Sequence, residues 1–194
     1  MKFIIIDDRP QRKNSAGYSI SKEDIDWIEP FTLTGLNSVS FEELNNELSE
    51  YSLIAIHRSY LTEGKKISLN SVINYAKNNQ AKFFILFSGG ITQNIVSDNI
   101  LYVNAGDFYS EHLAKFLKKF QSNEISHPLQ QFLYGKAWRL PFLLELRQYL
   151  WLQKQEGERV TDLARILDIT RGDLSIKEIN KKIVEEKKIH HSHE

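Results

Sequence analysis

The sequence predicts an α/β protein, a five-stranded, doubly wound parallel sheet followed by a small all-α domain. Over residues 1–120, short continuous apolar runs alternate with amphipathic segments, which is the pattern of a parallel sheet covered on both faces. After residue 127 the segments have helical periodicity and no strand is indicated. We therefore predict two domains, residues 1–121 and 128–194, joined by a polar stretch.

The predicted strands are short apolar runs that end at polar or glycine residues. Segment 21–29 has a helical pattern, and a helix over 41–48 is predicted to begin with a capping box of Ser40 and Glu43. Further helices are expected over 68–79 and over 107–120, the latter with Asp107 as its N-cap. The link 91–99 is too short for a full helix with its turns. The strands are expected at residues 3–6, 31–36, 53–57, 83–87 and 100–103.

The composition excludes several functional classes. The chain has 25 basic and 25 acidic side chains, so a broad surface for nucleic acid is not expected, although a local basic face is compatible with this balance. It has no cysteine, which excludes disulfides, thiolate metal sites and cysteine nucleophiles. No run approaches the roughly 20 apolar residues of a membrane span, and the N-terminus reaches aspartates too early for a signal peptide. We expect a cytoplasmic protein without membrane contact.

Polar side chains follow the predicted strands at the points where the strands end. Because the carboxyl ends of parallel strands meet at one edge of a sheet, we expect these side chains to cluster there, where ligands bind in open α/β sheets. They are Asp7 and Asp8 after the first strand, His57 and Arg58 at the third, Ser88 at the fourth and Asn104 at the fifth.

The order and spacing of these residues resemble the receiver domain of two-component response regulators, a flavodoxin-like fold, over about residues 1–120. In that family the acidic pair binds magnesium, which Asp7 and Asp8 match, and a Ser or Thr after strand four contacts the phosphate, which Ser88 matches. The phosphoaccepting aspartate is replaced by His57, and the phosphate-pairing lysine by Asn104. Since the nucleophile and the fixed cation are both absent, we predict a pseudo-receiver that forms no aspartyl phosphate and needs no cofactor.

The cluster of charges at this edge permits more than one chemistry. We favour a permanent ion-pair network in which Arg58 or protonated His57 stands where the metal and phosphate would be. An alternative is a divalent-metal site formed by Asp7, Asp8 and His57, whose oxygen and nitrogen ligands would suit a phosphoester-cleaving enzyme. The neighbouring Arg58 repels a cation and disfavours that alternative.

The loop after the first strand is basic and gives a third interpretation. It contains Arg9, Arg12 and Lys13 together with Gly17. Such a loop is able to bind an anionic ligand or partner. Short basic loops are more often only solvated, so the ion-pair network remains the favoured interpretation.

Residues 160–183 resemble the helix-turn-helix of DNA-binding regulators. Ala164 supplies the small residue of the first helix, Leu174 supplies the apolar residue ten positions later, and Asp168 occupies the position usually held by glycine. The resemblance implies a second helix that enters the major groove. Its DNA-binding residues would be Thr170 as helix cap, Arg171, Lys177 and Lys181. The alternative is a plain helical bundle, since basic and acidic side chains nearly balance in residues 123–194.

The segment 142–152, FLLELRQYLWL, is apolar on almost every face. Such a helix is buried in a core or shared with a partner. We expect a homodimer whose contact across a two-fold axis uses Leu143, Leu146, Leu150 and Trp151.

Together these patterns favour a non-catalytic signalling protein. The leading hypothesis is a phosphorylation-independent transcription regulator that acts through DNA. The alternatives are an adaptor that binds another signalling protein without DNA, and a metal-dependent phosphoester enzyme using Asp7, Asp8 and His57.

Overall fold

The chain forms two compact units, Met1–Phe132 and Leu133–Glu194, in the computed structural model. The division falls after Phe132, beyond the predicted linker, because the Phe132 ring packs against Phe108 and Phe116 with centroids 5.8 and 5.0 Å away. The structure describes residues 2–7, 9, 12, 26–28, 46–61, 68–79, 81–97, 99–110, 113, 116, 119, 120, 127–152 and 157–191.

Within the described part of the chain, the first unit is built on a sheet of six strands, most of them parallel, so the predicted α/β class is confirmed. Its strands are β1 (Phe3–Ile6), β2 (Asp26–Ile28), β3 (Leu53–His57), β4 (Phe83–Ser88), β5 (Ile95–Ser97) and β6 (Ile100–Asn104). They lie in the order β2-β1-β3-β4-β6-β5, with β5 antiparallel to β6 and the other neighbours parallel. Every residue of β1 and β3 is buried, which explains why these strands read as continuous apolar runs.

Two strands differ from the prediction. Strand β2 lies in the segment that was predicted as helix, and it pairs with β1, Trp27 lying opposite Ile5. Pairing along the edge of β1 outweighs a local helical pattern, because strand formation depends on neighbours more than on intrinsic preference. The link before β6 returns as the short antiparallel strand β5, which buries Val96. The predicted strand 31–36 lies outside the described residues, as does most of the predicted helix 41–48.

Among the described residues, the helices with defined bounds in the first unit are α1 (Leu69–Asn78), α2 (Ala105–Phe108) and α3 (Pro128–Tyr134), the last of which runs across the division. The described residues 113, 116, 119 and 120 of the predicted helix 107–120 are also helical. A capping box of Ser68 and Ser71 begins α1, which buries Val72 and Ala76. The predicted start of a helix at Asp107 is wrong, because the N-cap of α2 is Asn104. The core includes Ile4, Ile6, Ile54, Ile56, Phe84 and Leu86.

The second unit contains α4 (Arg139–Trp151), α5 (Glu158–Leu167) and α6 (Ile176–His191). Arg139 joins them, since it donates to the carbonyl of Leu167 at 2.9 Å and pairs with Glu186 at 2.9 Å. Within the described part of the chain, every helix is too short or too polar to cross a lipid bilayer. The core includes Leu143, Leu146, Leu150, Leu163, Leu167, Ile179 and Ile183.

This core corrects the predicted dimer contact. Leu143, Leu146 and Leu150 are buried inside the unit, so they are not available to a second copy. They point inward because α5 and α6 both pack on α4, which covers most of its apolar surface. Trp151 alone among the four predicted residues is exposed, at 73%.

Candidate functional site at the carboxyl edge of the sheet

The strand register aligns the polar residues that follow β1, β3, β4 and β6. Ile6 lies opposite Ile56, so Asp7 stands level with His57 just past the end of β1. His57 lies opposite Phe87, and one step further Ser88 lies opposite Asn104. The carboxyl edge of the sheet therefore presents a row of polar groups across four strands.

The most deeply buried group of this row is the carboxylate of Asp7, which is 0% exposed. The guanidinium of Arg12 donates to both of its oxygens, at 3.0 Å to Oδ1 and 3.2 Å to Oδ2. The hydroxyl of Tyr109 donates to Oδ2 at 2.9 Å, and the backbone N–H of Arg9 donates to Oδ1 at 3.3 Å. A buried carboxylate is tolerated only when its charge is paired and its oxygens are hydrogen-bonded, and these donors meet both conditions.

Local chain geometry explains why the cation is Arg12. The backbone N–H of Arg12 donates to the carbonyl of Arg9 at 3.0 Å, which holds Arg12 close to the end of β1. The guanidinium is thereby carried back to the strand end. The sequence suggested Arg58 or His57 as the cation of this network, whereas the structure has Arg12 at Asp7 and leaves Arg58 exposed in the 3-10 turn Arg58–Tyr60. Asp8, Lys13 and Gly17 lie outside the described residues.

Tyr109 is a site residue that sequence reasoning missed. Its burial, with the charge and hydrogen bond of Asp7, raises its pKa above the ordinary value, so the phenol is a neutral donor. Its ring contacts Phe87 and Phe108 edge to face, with centroids 5.6 and 4.8 Å away. The only signal in the sequence is a tyrosine just after the last strand, and this does not distinguish a hydroxyl donor from an ordinary core aromatic.

His57 occupies the position that the resemblance assigns to the phosphoacceptor. Its ring is 9% exposed and packs edge to face against Phe87 and Tyr60, at 5.3 and 6.2 Å between centroids. Its Nδ1 lies 2.6 Å from the hydroxyl oxygen of Ser59. The imidazole is therefore held by aromatic packing and a local hydrogen bond.

At the end of the row formed by β4 and β6, Ser88 and Asn104 hydrogen-bond to the loop after β4, and Asn104 also bonds to the start of α2. The side-chain N–H₂ of Asn104 donates to the carbonyl of Ile91 at 2.9 Å, while its oxygen accepts from the N–H of Gly106 at 2.9 Å. The hydroxyl of Ser88 accepts from the N–H of Gly90 at 3.3 Å. The position of the family's lysine is thus taken by an amide that joins the loop after β4 to the start of α2.

The metal-site alternative is described only in part, because Asp8 lies outside the described residues. Among the residues that the structure describes, no group of three or more His, Asp or Glu side chains is placed to hold a metal ion. The one described carboxylate of the predicted pair, Asp7, already accepts from Arg12 and Tyr109.

The second unit contains the turn that resembles a helix-turn-helix. Asp168 ends α5 in the left-handed conformation, with φ 54° and ψ 50°, at the position where the family has glycine. The N–H of Ile169 then donates to the carbonyl of Ala164 at 2.8 Å, which closes the end of α5. The aspartate therefore adopts the backbone conformation that glycine would supply.

The connection to the next helix departs from the predicted motif. Thr170 does not cap that helix, since its hydroxyl donates to Asp173 at 2.9 Å across the 3-10 turn Arg171–Asp173. Helix α6 begins only at Ile176, where the hydroxyl of Ser175 accepts from the N–H of Glu178 at 3.2 Å. The N-terminal N–H groups of α6 find their acceptor at Ser175, so the second helix starts later than the resemblance implies.

A basic face lies along α6. Lys177, Lys181 and Lys188 are exposed, and their spacing of four and seven residues puts them on one side of the helix, where Glu185 is exposed between the last two. On a different side, Glu186 pairs with Arg139 at 2.9 Å. Thr170 and Arg171 are exposed just before the helix.

Comparison with known proteins found no relative. No family model, no curated protein and no solved structure matches the chain. The function is therefore argued from the geometry of the two units.

Proposed function

We propose that the protein is a non-catalytic signalling or regulatory protein, in which a doubly wound, receiver-like unit that takes no phosphate is joined to a helical unit that binds DNA. The order β2-β1-β3-β4-β6 supports the first half of this proposal. Starting from β1, the chain adds strands first on one side and then on the other, as in flavodoxin-like sheets, and the ligand site of such sheets is at the β1/β3 switch point.

The observation that supports the proposal most strongly is the occupied carboxylate at that switch point. Asp7 is buried and bonded to Arg12 and Tyr109 of its own chain. In the receiver resemblance this carboxylate would hold a metal ion whose charge assists phosphotransfer. Here a guanidinium supplies the positive charge permanently, so the unit keeps one arrangement without a ligand.

The remaining groups of the row are equally unsuited to phosphotransfer. A carboxylate nucleophile and a fixed cation are needed at the ends of β3 and β6, and the chain has His57 and Asn104 there. The side-chain amide of Asn104 is already hydrogen-bonded within the chain, because its N–H₂ donates to the carbonyl of Ile91 and its oxygen accepts from the N–H of Gly106. Each of these contacts agrees with a structural role in which the arrangement of the site does not change with a ligand.

The basic face of α6 supports DNA as the partner of the second unit. Lys177, Lys181 and Lys188 extend into solvent from one side of α6, which is the arrangement that contacts the DNA backbone. Lysines clustered on one face of a helix are the electrostatic footprint of a nucleic-acid-binding surface, and such a local face is compatible with a chain of no net charge.

The long connection before α6 favours a second candidate, a protein-interaction adaptor. A helix-turn-helix joins its helices by three or four residues, whereas Leu167 and Ile176 are separated by a turn and a 3-10 segment. In this alternative the second unit would bind another signalling protein instead of DNA.

Binding of the full chain to its own upstream DNA at two salt concentrations tests the proposal. We expect specific binding that weakens steeply as salt rises, because lysine contacts release counterions from DNA. The variant Lys177→Ala/Lys181→Ala should lose most of this binding and show a shallower salt dependence.

The matched control is Lys136→Ala/Arg147→Ala, which removes two exposed positive charges from the second unit but outside α6. We expect it to bind DNA like the wild type. If both double variants weaken binding equally, the effect is only net charge and the assigned face is wrong. If the wild type does not bind DNA, the adaptor becomes the better candidate.

A further inference from the structure

Two exposed residues of α6 do not suit the surface of a helix. Val184 is 50% exposed, and Asn180 is exposed one turn before it. Valine and asparagine both have a lower helix propensity than the lysines and glutamates that occupy most other exposed positions of α6. Positions where a residue works against the local preference are often functional positions.

The buried side of α6 fixes the direction in which these two residues point. Ile179 is 0% exposed and Ile183 is 4% exposed, and α6 packs on α4. Successive residues of an α-helix are rotated by about 100°, so Val184 is turned by about 100° or more from both isoleucines. Val184 therefore faces solvent whenever α6 is packed in the second unit.

Lysines surround Val184 on the surface of the helix. Between residues 176 and 189, every charged residue within about 60° of Val184 is an exposed lysine. Asn180 lies in the same sector, about 40° from Val184, whereas Glu185 lies about 100° away, at its border. The centre of the sector therefore holds an apolar and an amide side chain, with positive charge on both flanks. The lysines are Lys177, Lys181, Lys187 and Lys188.

We propose that α6 reads base edges in the major groove of DNA, with Asn180 bound to an adenine and Val184 packed on the methyl group of a thymine. The groove is about 12 Å wide and admits an α-helix. The amide of an asparagine donates to N7 of adenine and accepts from its N6 amino group, and thymine presents its C5-methyl group there. Lysines on the flanks position the helix by contacts with phosphates. This assignment rests on the proposed DNA binding, and it adds which bases are read.

The spacing of the two residues sets the spacing of the bases. Asn180 and Val184 are separated by about 6 Å along the helix axis, and successive bases of one strand by about 3.4 Å. With α6 along the groove, the two side chains therefore reach base pairs about two steps apart. Because both contacts are made to A·T pairs, we expect a site with A·T pairs at two nearby positions.

Selection by the full chain from a library of duplexes with randomised positions tests this assignment. We expect a preferred sequence with two such A·T pairs. In that duplex, 7-deazaadenine at the contacted adenine removes the N7 acceptor and should weaken binding about fivefold. Uracil at the contacted thymine removes only the methyl group and should weaken binding about fourfold.

Two variants identify which residue makes each contact. Asn180→Ala should be insensitive to 7-deazaadenine but remain sensitive to uracil, and Val184→Ala should show the reverse. A purely structural role of either residue would leave both sensitivities as in the wild type. The control Ile189→Ala truncates an exposed apolar residue about 140° from Val184 and should keep both sensitivities. Circular dichroism checks that each variant is folded.

The possible failures of this assignment and of the proposed function are distinguishable. Salt-sensitive binding that is lost in Lys177→Ala/Lys181→Ala but selects no sequence would overturn the assignment and leave DNA binding in place. Base analogues that act equally on the wild type and on both single variants would overturn it as well. A wild type that binds none of the duplexes would overturn both proposals.

Discussion

At the scale of single residues, the site depends on how one buried carboxylate is satisfied. Asp7 accepts from Arg12, from the hydroxyl of Tyr109 and from the backbone N–H of Arg9. Burying a charge is costly, and removing one member of a buried pair leaves that cost uncompensated. The residues around Asp7 should therefore contribute more to stability than other charged residues of the same edge.

Replacement of Arg12 should destabilise the first unit. We expect Arg12→Ala to lower the free energy of unfolding by about 3 kcal/mol, because it leaves the Asp7 carboxylate buried without its cation. Urea denaturation followed by circular dichroism measures this loss. The exposed Arg58 is the matched control, and Arg58→Ala should change stability by less than about 0.5 kcal/mol. Equal losses in the two variants would show that the pairing with Asp7 is not what stabilises the edge.

The hydroxyl of Tyr109 predicts a pH dependence. Its pKa is raised above 10.0 in the folded state, so above pH 10 the unfolded chain loses this proton while the folded chain keeps it. Unfolding then releases a proton, and stability falls as the pH rises. At neutral pH, Tyr109→Phe should be less stable than the wild type by about 2 kcal/mol, because Asp7 loses a donor.

Above pH 10 the gap in the free energy of unfolding between the wild type and Tyr109→Phe should narrow by about 1.4 kcal/mol per pH unit, because the phenylalanine variant has no proton to lose. Urea denaturation at neutral pH and at several alkaline pH values measures the gap. Other tyrosines with raised pKa values, Tyr75 and Tyr134, titrate equally in both proteins and cancel in the difference. A gap that stays constant with pH would mean that Tyr109 ionises alike in the folded and unfolded states.

The residues of this site could be predicted from the sequence only in part. The row of Asp7, His57, Ser88 and Asn104 follows from strand ends that share one edge, which needs only the chain order of the strands. The cation beside Asp7 does not follow, because Arg12 and Arg58 both lie near strand ends and the backbone hydrogen bond from Arg12 to Arg9 decides between them.

At the scale of elements, segments buried on both faces were easier to predict than edge segments. Strands β1, β3, β4 and β6 are continuous apolar runs and were located within a residue of their observed bounds. The edge strands β2 and β5 have three residues each and no comparable pattern, since pairing with β1 and β6 decides their conformation. The start of α6 was missed for a similar reason, because Thr170 and Ser175 both suit a helix cap.

The left-handed end of α5 gives a prediction at this scale. Asp168 has φ 54°, which costs energy for a residue with a Cβ, and its negative charge lies at the negative end of the helix dipole. We expect Asp168→Gly to raise the free energy of unfolding by about 0.5–1 kcal/mol, despite the greater freedom of glycine in the unfolded chain.

Thermal and urea denaturation of Asp168→Gly, Asp168→Asn and Asp168→Ala measure this effect. Asparagine tolerates the left-handed region and removes the charge, so it should gain a few tenths of a kcal/mol. Alanine removes the charge as well but tolerates this backbone poorly, so Asp168→Ala should be less stable than both the glycine and the asparagine variants. A glycine variant below the wild type would mean that the Asp168 side chain stabilises the turn in a way that outweighs the strain.

At the scale of the whole molecule, the two units differ in which of their charged and apolar groups are paired internally and which are exposed to solvent. The first unit satisfies its central carboxylate internally, with Arg12 and Tyr109. The second unit leaves its basic face on α6 and the Trp151 end of α4 exposed. Under the proposed function, regulation would come from the amount of the protein or from its partners, since its own side chains fill the position that the receiver resemblance assigns to the metal ion.

Treatment of the full chain with acetyl phosphate and magnesium tests this last point. We expect no acyl phosphate on Asp7 and no phosphohistidine at His57, because Asp7 is buried against Arg12 and the His57 ring is packed between aromatic rings. Mass spectrometry before and after hydroxylamine detects an acyl phosphate, and mass spectrometry after mild acid detects a phosphohistidine. A receiver protein with an intact acceptor aspartate, treated in parallel, shows that the reagent is active. DNA affinity should be the same with and without treatment, whereas a modified protein with altered DNA affinity would make this chain a phosphorylation-dependent regulator after all.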